Sequence, residues 1–370
     1  MKKVFVSAAI LALTACDKIN FASSAPPPSD LLSVEQTSAI IKPMMKAGES
    51  ADLWASDIHH ALSTLKKQST ADNVCAIVAV IEQESGFKAD PAVAGIRQIL
   101  AKKIAKMESN PLLSVALNLR MAQAAANGKT FRENMQNIRT ERDFEAWYNE
   151  FTAEKYTFPG LKYMKMDVND IVTTAGSMQV SIDYARDVAY ELGQSSSNMR
   201  DQVYSRAGGV LYGSAHLLHY PADYSVMYYR FADYNAGHYA SRNAAFQQMV
   251  MSLTGDKKIG LDGDLLSYKD GSAQPSQTYR ALLAWAKKQN FALTDVELMS
   301  DLKREKNVDF TDTKVYAWIA TAYEKKYSKV LKEQIPSIVL KSDKITRRLT
   351  TQWYADNVNR RFKNCLARKV

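Results

Sequence analysis

Thr70-Ala71-Asp72-Asn73-Val74-Cys75-Ala76-Ile77-Val78-Ala79-Val80-Ile81-Glu82-Gln83-Glu84-Ser85-Gly86-Phe87 reads as one amphipathic helix that ends near Glu84. Thr70 to Asn73 supply the polar residues that start helices by accepting from unpaired backbone N–H groups. Val74, Ile77, Val78 and Ile81 recur at spacings of three and four and so share one apolar face. At about 100° per residue, Glu84 falls about 20° from Ile77 and about 60° from Ile81, on the flank of that face. Glu82 lies farther round and Gln83 opposite. A carboxyl at the end of a buried face loses hydration when ionised, so its pKa rises and it stays protonated near neutrality, as a general acid must. Glu84 is the candidate acid; a carboxylate that merely caps or bridges a helix end is the plainer alternative.

The same periodicity runs outward in both directions. Trp54, Ile58, Ala61, Leu62 and Leu65 predict a preceding amphipathic helix. Residues 101–154 predict two or more helices, and 185–193 and 205–220 two others. Only 172–180 hints at β alternation. With 15 Gly and 10 Pro in 370 residues, helix breakers are sparse, and the chain reads as mainly α. After Gly255 a turn-rich stretch, Asp262-Gly263-Asp264 and Asp270-Gly271, leads back to helices.

The first residues carry a different signal. Lys2 and Lys3, the apolar run from Val4 to Leu13, and Leu13-Thr14-Ala15-Cys16 read as a secretory leader over residues 1–15 closed by a lipobox. Ten apolar residues are too few to span a bilayer. Lipidation of Cys16 is therefore expected, with residues 16–30, including Ser23-Ser24-Ala25-Pro26-Pro27-Pro28-Ser29, as a tether. This places the protein in the periplasm, anchored to a bacterial membrane; Asp17 favours the inner membrane, with the outer as alternative. Formal charge is +9, or +7 without Lys2 and Lys3 (9 − 2), and residues 341–370 alone hold nine Lys or Arg against Asp343 and Asp356, also +7. That basic end suits a solvated helical face or an anionic lipid or wall polymer; nucleic acid is not expected as a partner. With Cys16 acylated, Cys75 and Cys365 are the remaining thiols in an oxidising compartment, and a disulfide between them is expected.

Three segments together suggest a chemistry. Ala76 to Phe87, with Glu84-Ser85 at its end, resembles the catalytic helix of the family 1 lytic transglycosylases and goose-type lysozymes. Gly176-Ser177-Met178-Gln179-Val180 resembles their Gly-Leu-Met-Gln motif, and Asp233-Tyr234-Asn235-Ala236-Gly237 their Ala-Tyr-Asn-Ala-Gly motif. Tyr184-Ala185 and Tyr212 to Leu218 fit the flanking segments, and Pro275-Ser276-Gln277-Thr278-Tyr279 is a weaker echo of a Glu-Thr-x-x-Tyr segment. The resemblance implies a lysozyme-like helical domain over 31–255. Since Glu84 and Ser177 are 177 − 84 = 93 positions apart, it also implies an inserted helical subdomain at about 94–172, which would wall a groove, regulate access or bind a cell-wall protein. A helical extension would follow over 256–370.

The resemblance implies that peptidoglycan glycan strands are cut between N-acetylmuramic acid and N-acetylglucosamine. Glu84 would protonate the linking oxygen, then take the proton of the muramic C6 hydroxyl as that oxygen closes on C1 to leave a 1,6-anhydro end. Ser85, Gly176, Ser177, Met178, Gln179, Tyr234, Asn235 and Tyr279 would bind sugar or shape the groove. No cofactor or metal is implied. Hydrolysis of lysozyme type and a binding or scaffold lipoprotein without catalysis are the alternatives. Of the other constellations, His216-x-x-His219 has ligand spacing without a metalloprotease Glu and reads as helix packing, and Asp262-Gly263-Asp264 reads as a turn.

Overall fold

The described residues open with α1 (Val34–Ile41), α2 (Ala51–Thr64) and α3 (Ala71–Glu84). They belong to a computed structural model that describes residues 30–45, 50–153, 172–340 and 349–368. Cys16, Asp17 and the expected leader and tether up to Ser29 lie outside the described residues, as do 154–171 and much of the basic end. The expected insertion begins with α4 (Ile96–Glu108), α5 (Pro111–Ala122), α6 (Phe131–Met135) and α7 (Glu141–Thr152). A hairpin of β1 (Thr174–Ala175) and β2 (Val180–Ser181) follows, in the register Thr174 to Ser181 and Ala175 to Val180. Then come α8 (Ile182–Glu191), α9 (Met199–Tyr204), α10 (Arg206–Leu218), α11 (Met227–Ala236) and α12 (Ala240–Thr254). A small hairpin of β3 (Ser267–Lys269) and β4 (Ser272–Gln274) precedes α13 (Gln277–Lys288), α14 (Asp295–Leu302) and α15 (Lys314–Tyr327). Finally β5 (Val339–Leu340) pairs with β6 (Leu349–Thr350) ahead of α16 (Thr351–Leu366). The fold is mainly α. Among the described residues no helix is long and apolar enough to cross a membrane.

α3 is the centre of this arrangement. Thr70 accepts from the Asn73 N–H at 3.2 Å, and Asp72 sits at the positive end of the helix. From Val74 to Ile81 every residue is buried, so the helix is enclosed all round and not on one face alone, because α2, α10 and α16 pack against it. Val74, Ile77, Val78, Val80 and Ile81 each contribute about 1.5–3 kcal/mol by burial.

Among the described residues the buried apolar side chains fall into two cores. Phe246, Met249 and Val250 of α12 already belong to the second core, with Leu282, Leu298, Phe310 and Ile319 from the later helices. α16 then returns to the first core through Tyr354, Val358, Phe362 and Cys365. The last helix is thus no appendage: it lies against α3 and α11. Cys75 on α3 and Cys365 on α16 are joined in a disulfide, with Cα atoms 5.5 Å apart and 290 positions between them in sequence. Cys75 stands early in α3 and Cys365 late in α16, so the helices run antiparallel and the start of α16 falls beside Glu84.

The segment from α4 to α7 folds around Arg120, which is fully buried. Its guanidinium lies over the Phe131 ring at 4.1 Å and donates to the carbonyls of Phe151 (2.9 Å) and Glu150 (2.8 Å), closing the end of α7. It docks on the rest of the protein through Glu145, which accepts from Arg200 at 3.2 Å and from the Tyr204 hydroxyl at 2.9 Å, both on α9.

Candidate functional site

α3 stops at Glu84 because the chain turns sharply. The N–H groups of Ser85 and Gly86 both donate to Ile81 O at 3.0 Å, and Gly86 (φ 59°) and Phe87 (φ 63°) take the left-handed conformation. That conformation is strained for a bulky residue and is held by burial of the Phe87 ring, edge-on to Trp54 at 5.5 Å. The turn leaves Glu84 half-buried at the mouth of an enclosed helix. Its carboxyl is packed away from water, and this desolvation pushes its pKa up to about 7. The Tyr354 hydroxyl and the charge of Arg361, both on α16, oppose the rise. Arg361 also pairs with Glu82 at 3.8 Å.

Two tyrosines flank the acid. Tyr234 on α11 feels the Glu84 charge, and its hydroxyl donates to Met178 O at 2.6 Å. Tyr354 is buried, and its hydroxyl makes no hydrogen bond of good geometry, although it lies close enough to Glu84 for the two groups to perturb each other. Burial pushes both phenols well above their ordinary range, so both remain neutral donors. Behind Tyr234, His216 is half-buried and its pKa falls to about 4, by desolvation first and by His238 second. The neutral ring donates from Nε2 to Tyr234 O at 3.1 Å, so His216 backs the site as a packing residue.

The structure brings the three sequence motifs together, with individual residues in different places from those expected. Gly176 has φ 77°, and a Cβ there would meet Val203 O at 2.3 Å, so the turn between β1 and β2 needs glycine. Ser177 and Met178 are fully buried in the first core, not in a groove: Met178 packs on Gly213 of α10, and Ser177 on Gly209. They cannot touch a sugar; they set the height of the turn. Gln179 closes on its own hairpin and on the insertion, accepting from Thr174 Oγ1 at 3.2 Å and donating to Glu141 Oε2 and Gly176 O at 3.3 Å. Asn235 accepts from Thr351 Oγ1 at 3.2 Å, which ties α11 to the start of α16. Ser85 donates its hydroxyl proton to Ile81 O at 3.0 Å and keeps only acceptor capacity.

Tyr279 is not at this site. It packs in the second core, and its hydroxyl donates to Asp295 O at 3.2 Å. The second tyrosine beside Glu84, with Tyr234, is Tyr354, which the sequence reading missed, although Thr351-Gln352-Trp353-Tyr354 carries the same Thr-x-x-Tyr spacing. Asp233 is buried and structural: it accepts from the hydroxyls of Tyr220 (3.1 Å) and Tyr224 (2.6 Å) and the N–H groups of Tyr239 (3.0 Å) and Ser241 (2.6 Å), fixing the corner from α11 to α12. Among the described residues no cluster of His, Cys, Asp and Glu could hold a metal ion.

Such a site, one desolvated carboxyl between two neutral phenols on a helical scaffold, defines a protein with a single candidate acid. The chain belongs to the family described as protein of unknown function (DUF1615), which it matches over residues 48–368. It is 35% identical over 364 residues to the uncharacterized protein YaiW of Escherichia coli (strain K12), a match covering 97% of this chain and 96% of that protein. No solved structure matches it. The family spans the insertion and α16 as well as the three motifs, so the expected membership of the family 1 lytic transglycosylases is overturned.

Proposed function

We propose that this protein is a periplasmic lipoprotein that cleaves peptidoglycan glycan strands with Glu84 as its one acid and base. The observation that carries this reading is the state of Glu84: a half-buried residue at the end of an otherwise enclosed helix, with its carboxyl desolvated and raised to about 7. At neutral pH about half such groups carry the proton that a glycosidic oxygen needs. The electrostatic neighbours that shift Glu84 are Tyr354 and Arg361, with no second carboxylate among them. A paired nucleophile or a water-activating base would add one. Intramolecular capture by the muramic C6 hydroxyl needs neither, because the Glu84 carboxylate left by the first step accepts that proton. The Tyr354 hydroxyl and the charge of Arg361 temper the rise of Glu84, and Tyr234 lies beside the carboxyl with its own hydroxyl proton committed to Met178 O. Lipidation at Cys16 would keep the site at the wall.

Incubation of the mature protein with purified sacculi tests this reading. Soluble muropeptides with 1,6-anhydro ends are expected. Reducing ends would assign hydrolysis instead, and binding to sacculi with no release would assign a scaffold.

A further inference from the structure

A cavity of about 430 Å³ opens between the loop after α10 and the second core, and Glu84, Tyr234 and Tyr354 are not among its walls. Its size falls within the range of small-molecule sites. The rings of Tyr224, Tyr239 and Tyr316 line it, and Val308, Ala320 and Val330 add aliphatic surface. Its one buried charge is Arg242, whose guanidinium lies over the Tyr239 ring at 4.2 Å.

Arg242 is held entirely by neutral acceptors. Nε and Nη2 donate to Asn243 Oδ1 (3.2 and 3.1 Å), Nη2 also to Glu305 O (2.5 Å), and Nη1 to Asn307 O (2.8 Å). A guanidinium has five N–H groups, so one on Nη1 is left over. No carboxylate among the described residues pairs with it. Asp233 is taken up by two tyrosine hydroxyls and two backbone N–H groups, Asp309 is bonded to Arg304 through Oδ2, and both carboxylates act on Arg242 only through space. Buried charges are ordinarily paired, and desolvation here lowers the pKa of Arg242. At the mouth, Lys332 adds a second cation, engaged at 2.9 Å by Asp223, and both side chains are mostly exposed and free to exchange partners.

We propose that this cavity binds a small organic carboxylate with an apolar body. The carboxylate would meet the free N–H of Arg242 and the Lys332 ammonium, and the body would pack on the tyrosine rings. Both a free N-acylated amino acid and the C-terminal end of a peptide have this chemistry. Neither the site nor its test depends on glycan cleavage.

The test is titration calorimetry on the mature protein with N-acetyl-phenylalanine, its neutral amide, and an acetylated tetrapeptide ending in phenylalanine. Saturable binding of at least one carboxylate probe is expected, with the amide at least about tenfold weaker, the loss of one charge-assisted hydrogen bond. Tighter binding of the free acid assigns a metabolite site; tighter binding of the tetrapeptide assigns a peptide end. Ala320→Trp, which fills the cavity from α15, should abolish binding with the melting temperature retained. If that variant unfolds, Val330→Trp at the edge of the cavity replaces it. Equal affinity for acid and amide, binding that persists in the filled variant, or no saturable binding of either carboxylate would overturn the proposal.

Discussion

Replacing Glu84 by glutamine should make the protein more stable at pH 8 while leaving its stability at pH 4 unchanged. In the unfolded chain Glu84 titrates near the ordinary glutamate value of 4.5; in the fold it titrates at about 7. Below both values the carboxyl is neutral in either state and nothing is lost. Between them the unfolded chain releases a proton that the folded chain retains, so stability falls as pH rises; above about 7 the loss is complete. The shift corresponds to about 3 kcal/mol at 1.36 kcal/mol per unit, reduced to about 2 kcal/mol because Glu84 is partly open to solvent. Glutamine has the same shape without the ionisation and escapes the penalty. Urea unfolding of parent and variant at several pH values between 4 and 8 measures the difference directly, since every other titrating group is common to both. The variant should gain about 2 kcal/mol over that span, with most of the gain between pH 5 and pH 7. Parallel stability curves, or a variant less stable at pH 8, would refute the desolvated acid.

Four further outcomes follow from the same geometry. Tyr354→Phe removes a hydroxyl that holds the Glu84 pKa down, so the alkaline fall of cleavage rate that the proposed function puts near pH 7 in the parent should move to higher pH; an unmoved profile would mean the two groups are not coupled. Replacing both Cys75 and Cys365 by serine removes a link between residues 290 positions apart and should cost about 2–5 kcal/mol in chemical denaturation, with loss of activity as α16 loosens; full activity would show that α16 holds its place unaided. Gly213→Ala puts a Cβ 2.4 Å from Met178 Cβ and should destabilise the turn at 176–179 by about 1–3 kcal/mol, whereas Tyr279→Phe should leave cleavage unchanged.

Residues close in sequence were readable in advance, and residues joined by the fold were less so. Thr70, the Val74 to Ile81 run and Glu84 announce α3 and its acid, because capping and periodicity act within a few turns of one helix. The complete burial of α3 was not visible: it depends on α16, which arrives from the far end of the chain. For the same reason Tyr354 and Arg361 escaped notice while Tyr279, in a superficially similar segment, was expected at the site. Ser177 and Met178 carry polar and apolar side chains in a recognisable turn, yet only the close approach of Gly209 and Gly213 shows that both face the core. Gln179 was expected to meet sugar, and the structure turns it toward Glu141 of the insertion, a contact no local pattern encodes. The cavity beside Arg242 draws its walls from residues 221 to 332 and leaves no motif behind.

The most direct measurement is digestion of purified sacculi by the mature protein beside its Glu84→Gln variant, at pH 6 to 7, with the soluble products resolved by mass. Muropeptides with 1,6-anhydro ends should appear with the parent and be absent with the variant, whose fold the stability measurements will have shown intact. Release by both proteins alike, or by neither, would contradict the assignment of Glu84 as the acid that cuts the glycan strand.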